Sequence, residues 1–258
     1  MKNKLFPFLF LFPLVTGVCG ALLRATQLRY AYEPASGILQ SGHPATYGLV
    51  TVCIIAFVMA LISAFISKDG TDASMPIAEP CASFSAIASA IIILAYAGFI
   101  FYSLTESFDV AELILALLSV YCSVSLIVMG KYRFAERDSS AYCIFSAVPV
   151  FWACFLLIIS FREKTADPII ANYVPLIFGY IAILFFSYGM AAHILGRTKK
   201  SVTVFSCFIG IFFILAELLT PVFANRYDII TLSWVREALP LLAFLILMPC
   251  TSLQIIKK

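Results

Sequence analysis

The chain has 258 residues, of which 62% are hydrophobic and only 12% are charged. Ordinary globular domains contain roughly 45–50% apolar and about 25% charged residues. This composition therefore excludes a water-soluble particle and predicts a single transmembrane domain over residues 1–258, in contact with the lipid bilayer. The net charge of +3 is small and the basic residues stand in small groups, which argues against a nucleic-acid-binding surface.

Eight apolar runs, each bounded by charged residues, predict the architecture. Each run is close to or above the roughly 20 residues that an α-helix needs to cross the hydrocarbon core of a bilayer. The sequence therefore predicts an all-α, polytopic integral membrane helix bundle. Its helices are expected near residues 5–23, 46–67, 83–104, 110–130, 141–161, 168–195, 201–224 and 234–256.

The first run allows two interpretations. Lys2 and Lys4 before an apolar stretch also resemble a signal peptide, with a small-residue cleavage site before Ala21. Against cleavage, the apolar character continues to Leu23, and Gly17 with Ala21 forms a small-residue face suited to close helix packing. We favour a retained helix; cleavage would leave seven spans.

Basic residues predict the orientation. With all eight runs spanning and Lys2 inside, eleven basic residues lie on the cytoplasmic side and six outside. The inside set is Lys2, Lys4, Lys68, Lys131, Arg133, Arg137, Arg197, Lys199, Lys200, Lys257 and Lys258, and the outside set is Arg24, Arg29, Arg162, Lys164, Arg226 and Arg236. Because cytoplasmic loops carry an excess of Lys and Arg, both termini are predicted to be cytoplasmic. The lack of an N-x-S/T sequon agrees with a bacterial cytoplasmic membrane.

The third run begins with small residues, which predict close contact with neighbouring helices at Ser85, Ala86, Ser89 and Ala90. A very short connector follows and predicts a tight hairpin between the third and fourth helices. Asp109 and Glu112 have the spacing of an N-cap and its third helical residue, so this acidic pair is interpreted first as a helix cap and second as a cation site.

The cysteines are predicted to act as small apolar fillers. Seven of the eight lie inside apolar runs, and Cys81 is expected in a cytoplasmic connector. No pair has C-x-x-C spacing, and His43 and His193 are the only histidines, so neither a metal site nor a cofactor is predicted. No hydrolase, nucleotide-binding or intramembrane-protease motif is present, and we therefore expect a protein that is not an enzyme.

One loose group of charges near the outer end of the spans is the candidate ligand site. Glu217 is the only carboxylate well inside a run, Arg24 lies at the end of the first run, and Arg236 opens the eighth. A charge at this depth is costly unless it is paired or reaches water. The group is either an ion pair that fixes helices or a pocket for a small polar or anionic ligand.

Two functions remain open at this point. The first is a structural, sensory or partner-binding membrane component, for which the sequence names no protein partner. The alternative is a small-solute permease with a site around Glu217, which would suit helices broken by Pro149 and Pro240. A central polar cavity would favour transport, whereas a solid bundle with one lipid-facing groove would favour a structural, sensory or partner-binding role.

Overall fold

In the computed structural model, the described backbone covers residues 2–31, 42–67, 80–131, 140–165, 173–195, 199–224 and 231–256. These residues form helices and no strand, which confirms the predicted all-α architecture. The helices of the described chain are α1 (Lys2–Tyr30), α2 (Pro44–Ile66), α3 (Pro80–Glu106), α4 (Val110–Lys131), α5 (Ser140–Lys164), α6 (Val174–Ile194), α7 (Lys200–Phe223) and α8 (Leu232–Ile256). Each contains a segment long and apolar enough to cross a membrane.

Contacts between helix ends give the relative directions of the helices. Arg29 near the end of α1 bonds to Ala224 just after α7, so these two helices run parallel, whereas Gly130 near the end of α4 packs beside Ser83 at the start of α3, so α3 and α4 are antiparallel. The charge of Glu237 near the start of α8 acts on Glu217 near the end of α7, so α7 and α8 are antiparallel as well. The start of α1 and the end of α8 therefore lie at the same end of the bundle. We call this the inner end, which the basic residues predict to be cytoplasmic, and the opposite one the outer end.

Large side chains fill the interior between α3, α4, α5, α6 and α8. The Trp152 indole stacks on the Phe244 ring with centroids 5.8 Å apart, and Tyr96 meets Trp152 edge-on at 6.5 Å. Phe186 contacts Phe244 edge-on at 6.3 Å. The Trp152 Nε1–H group donates a hydrogen bond of 2.8 Å to Ser119 Oγ, so the indole is buried without an unpaired donor.

The small-residue face of α3 holds this helix against α4 and α8, as predicted. Ser89 Oγ donates to the carbonyl of Ala243 in α8 at 2.7 Å, and Ser123 Oγ of α4 donates to the carbonyl of Ala90 at 2.8 Å. Such short hydroxyl-to-backbone bonds require close approach of the helices, which small side chains permit. The four predicted residues are all buried: Ser85, Ala86, Ser89 and Ala90.

The first two helices form the periphery of the bundle and pack against α7. A Cβ atom at Gly17 would lie 2.9 Å from Leu215 Cβ, too close for any side chain. Ala21, one turn further, is fully buried. The predicted small-residue face of α1 is therefore its contact with α7. α2 packs against α1 and α7, and its Phe57 and Phe65 side chains are 50% and 78% exposed.

Two helix boundaries change the placement of chemically important residues. α1 continues to Tyr30, so Arg24 lies inside the helix and not at its end. α3 begins at Pro80, since proline suits the first helical position. Cys81 therefore lies in α3, and its predicted place in a connector is wrong. Its Sγ atom is 3.3 Å from Sγ of Cys250 in α8.

The sixth helix is described only from Val174 to Ile194, with Pro175 in its first turn. The predicted start of this helix, near residue 168, lies outside the described residues. Twenty-one residues correspond to roughly 32 Å at about 1.5 Å per residue, which matches the hydrocarbon core of about 30 Å.

Candidate functional site

Charged side chains at the outer ends of α4, α5 and α8 form ion pairs that we call the outer network. Arg236 at the start of α8 holds Glu112 of α4 at 2.9 Å and Glu163 of α5 at 3.3 Å. Lys164 of α5 pairs with Glu237 of α8 at 2.5 Å. The Arg236 and Glu112 side chains are only 18% and 12% exposed, so their attraction is weakly screened by solvent. The outer network ties three helices together.

Two buried tyrosines extend the outer network toward the middle of the bundle. The Tyr180 hydroxyl of α6 donates to the backbone carbonyl of Glu237 at 3.0 Å, and Arg236 donates to the Tyr96 hydroxyl of α3. Tyr96 lies ten residues before the end of α3 at Glu106, roughly 15 Å at about 1.5 Å per residue. These contacts add α3 and α6 to the helices joined at this end.

Asp109 caps α4, as the sequence predicts. Its Oδ1 atom accepts a 2.9 Å hydrogen bond from the Ala111 amide, and its Oδ2 atom accepts one of 2.7 Å from Arg162. The Ala111 amide, followed by Arg162, lowers the pKa of the Asp109 carboxyl below its ordinary value. Glu112, in contrast, points one carboxylate oxygen at Arg236 instead of acting as part of a cap.

The structure brings two of the three predicted site residues into electrostatic contact. Arg24 of α1 is buried, and its charge acts on Glu217 of α7 more strongly than the charges of Glu237 and Lys164 do. Arg236 instead forms its ion pairs with the two carboxylates of α4 and α5. Binding of a polar or anionic ligand by these residues stays a prediction.

Two carboxylates at the outer end, Glu112 of the outer network and Glu217 of α7, retain hydrogen-bonding capacity. Among the described residues, Oε2 of Glu112 and Oε2 of Glu217 are shielded from solvent and have no hydrogen-bond partner. Within the same residues, no three His, Cys, Asp or Glu side chains come together as metal ligands. Chemically, the outer network can hold charge and fix helices.

A second region, which we call the groove, lies between α2 and α6 and was not predicted. It consists of a cavity of about 700 Å³ at the inner end and one of about 360 Å³ nearer the middle. Phe185 of α6 and Phe205 of α7 line both cavities, so the two are continuous. Lining side chains such as Phe57, Phe65 and Phe185 are at least half exposed, so the groove is open at the surface of the bundle.

The packing of α2 explains why the groove exists. α2 contacts α1 and α7, whereas α6 contacts α5, α7 and α8, so α7 forms the floor between them. α2 approaches this floor through small buried residues one or two turns apart, Ala56, Ala60 and Ser63. Aromatic rings line the walls: Phe57 meets Phe205 edge-on at 5.6 Å, and Phe178 stacks on Phe213 at 5.1 Å.

The groove has the depth of about one membrane leaflet. Its lining residues run from Ser201 to Phe213 on α7 and from Cys53 to Phe65 on α2. Each range covers twelve residue steps, or roughly 18 Å at about 1.5 Å per residue. Half of a hydrocarbon core of about 30 Å is about 15 Å. The groove therefore reaches from the inner end to slightly beyond the middle of the membrane-spanning region.

Comparison with known proteins adds no identity. The chain matches no family model, no curated protein and no solved structure. The conclusions about this protein therefore depend on its own residues and their arrangement.

Proposed function

We propose that this protein is a non-catalytic, non-transporting membrane component that binds an acyl chain of a membrane lipid in the groove. The observation that carries the proposal is an apolar cavity, bounded by three membrane-spanning helices, that opens toward lipid. Side chains such as Leu61, Phe65 and Val202 present hydrocarbon to this cavity.

The size of the groove favours a lipid chain over a partner helix. Its two parts, of about 700 and 360 Å³, have the dimensions of small-molecule sites, which range from about 300 to 1,000 Å³. A transmembrane helix is about 10 Å wide and crosses both leaflets, a length of about 30 Å. The groove follows only about one leaflet, which suits a single acyl chain.

The interior of the bundle supports a role without transport. A permease site at Glu217 needs a polar route from that residue toward the inner end. The buried side chains of α7 that follow first in this direction, Ile214, Ile211 and Phe208, are apolar. The buried hydroxyls nearer the inner end, of Ser206 and Thr203, donate to carbonyls of their own helix. With the aromatic core filled around Trp152, the structure supports the solid-bundle alternative, and we propose that the outer network serves as a helix clasp.

Photolabelling with a lipid that carries a diazirine in its acyl chain tests the proposal. The purified protein, in phosphatidylcholine vesicles with a trace of the photoactivatable lipid, should be labelled on peptides of α2, α6 and α7 that line the groove. Excess unlabelled lipid should compete for this site, whereas labelling of ordinary lipid-facing surfaces should not saturate. Ala64→Trp fills the groove and should reduce its labelling several-fold.

Ala95→Trp is the matched control, because Ala95 is an exposed alanine on α3 that does not line the groove. This variant should leave groove labelling unchanged. Groove labelling no stronger than labelling of α3, or insensitive to Ala64→Trp, would overturn the proposal. Protection of the groove by a co-purified protein would assign it to a partner helix and would equally reject the lipid.

A further inference from the structure

Two lysines stand at the mouth of the groove. Lys199 is the N-cap residue of α7 and Lys200 is its first helical residue. The next two residues, Ser201 and Val202, line the inner cavity. Positive charge and the apolar lining are therefore contiguous along α7. The first turn of α7 contains no acidic residue.

The lysine side chains are suited to reach a lipid headgroup. Lysine can lie along apolar surface with its methylene stem while its ammonium group stays at the polar boundary of the membrane. An acyl chain in the groove would run toward the middle of the bilayer from the level of Ser201. The phosphate of the same lipid would then lie at the level of the two ammonium groups.

The surrounding charges agree with an anionic ligand. Among the described residues that line the groove, none is acidic. The described charged residues next to this lining, Lys199 and Lys200, are both basic. The excess of Lys and Arg in cytoplasmic loops explains why lysines occur at the inner end. It does not explain why these two lie next to a groove of the size of an acyl chain.

We infer that the groove selects an anionic phospholipid from the leaflet at the inner end, with Lys199 and Lys200 binding its phosphate group. This inference rests on the proposed function and specifies the ligand class of the same site. Anionic lipids are attracted to clustered basic residues at the membrane surface, and the groove adds a fixed position for one acyl chain.

The test compares two photoactivatable lipids that differ only in their headgroup. The protein is reconstituted in phosphatidylcholine vesicles with a trace of diazirine-bearing phosphatidylglycerol or, in a parallel sample, diazirine-bearing phosphatidylcholine. Phosphatidylglycerol should label the groove peptides several-fold more. Lys199→Gln with Lys200→Gln should abolish this preference and leave the phosphatidylcholine signal unchanged, whereas Lys199→Arg with Lys200→Arg should retain it.

The control variant is Lys131→Gln with Arg133→Gln. Lys131 ends α4 at the inner end, and Arg133 follows two residues later in the sequence. α4 packs against α3 and α5, and none of its described residues lines the groove. The control should keep the preference for phosphatidylglycerol. The single variants Lys199→Gln and Lys200→Gln, each expected to lower the preference in part, replace the double variant if it fails to insert.

The outcomes separate the two proposals. Equal labelling of the groove by both lipids would overturn the headgroup inference and leave acyl-chain binding intact. No saturable groove labelling by either lipid would reject the proposed function itself. Inorganic phosphate should not compete, because it lacks the acyl chain; competition by phosphate would identify a soluble anion site and overturn the inference.

Discussion

The outer network and the groove lie toward opposite ends of the bundle and are built from different kinds of contact. At the outer end, Arg236 draws carboxylates from two other helices into contact, and tyrosines extend these contacts to α3 and α6. In the inner half, apolar side chains of α2, α6 and α7 line an open cavity. One end is thus held together by paired charges, whereas the other contains an open apolar cavity, where we propose that a ligand binds.

The largest predicted effect tests the outer network. Arg236→Gln leaves Glu112 and Glu163 without their cation. Breaking a buried ion pair costs about 3–5 kcal/mol, which is the upper bound for these partly buried pairs. The measurement is the free energy of unfolding in mixed detergent micelles. Adding Glu112→Gln should recover part of the loss, because it removes one stranded charge.

Arg162→Gln is the matched control. Arg162 also forms an ion pair at the outer end, but its side chain and that of Asp109 are 57% and 42% exposed. Solvent screens such a pair, so this variant should lose much less stability. Equal losses for Arg162→Gln and Arg236→Gln would contradict the view that the buried charges hold this end together.

The second prediction concerns the contact between Arg24 and Glu217. The variants Arg24→Gln, Glu217→Gln and their combination should be non-additive, by about 0.5–3 kcal/mol, since residues in one charge network are energetically coupled. Thermal or denaturant unfolding of the four proteins measures this coupling. A clean sum of the two single effects would show that α1 and α7 are not joined by these charges.

The third prediction compares packing at the core with packing beside the groove. Ala90 and Ala60 are both fully buried, and Leu at position 90 should overpack the contact between α3 and α4 at a cost of about 1–3 kcal/mol. Leu at position 60 should cost less, because α2 can move outward and relieve the clash. A larger loss of unfolding free energy for Ala60→Leu would show that α2 is rigidly seated.

The fourth prediction is a small pH effect at the outer surface. The pKa of Asp109 is lowered in the folded protein, so its contribution to stability is present above the unfolded-state pKa of about 3.9 and is lost as the pH falls through the lower folded-state value. Melting temperatures measured from about pH 6 to pH 3 should therefore fall less in Asp109→Asn than in the unchanged protein. If the melting temperatures of the two proteins fell in parallel with pH, Asp109 would not contribute to the pH dependence of stability between about pH 6 and pH 3.

The fifth prediction checks the inner end and should leave stability almost unchanged. Mild oxidation should join Cys81 to Cys250, because their sulfur atoms are 3.3 Å apart. Mass spectrometry of the digested protein would detect the linked peptides, with Cys81→Ser as the negative control. A linkage pattern dominated by other cysteines would place the start of α3 away from the end of α8.

The helices and their number were predictable, because length and hydropathy alone identify a membrane span. Close helix packing through small residues could also be predicted from the sequence. Gly17 and Ser89 lie in close contacts with neighbouring helices, and the carbonyl of Ala90 accepts a hydrogen bond from α4. Boundaries were less certain. The charge of Arg24 suggested the end of a span, yet α1 continues to Tyr30 because Arg24 is buried beside α7 and is not exposed at a helix end.

Partners between helices could not be predicted from the sequence. Glu112 stands at a helix start and suggested a cap, but its contact with Arg236 depends on how α4 and α8 come together. The groove could not be predicted for the same reason, because a cavity between three helices depends on how they pack and not on the sequence of any one of them. One sequence signal for a lipid-exposed helix existed, because α2 has the highest mean hydropathy of the spans. In the structure α2 is also the least buried span, and its buried residues are small.

The attachment of α1 to α7 has a consequence for how the protein is made. Arg29 and the Ala224 carbonyl that it contacts are 195 residues apart. At a synthesis rate of about 5–20 residues per second, α7 emerges from the ribosome roughly 10–40 s after α1. During that interval, Arg24 belongs to a helix whose acidic counterpart has not yet been translated, and an uncompensated charge within lipid is costly. We therefore expect the nascent α1 to remain beside the insertion machinery or at the headgroup level until α7 arrives.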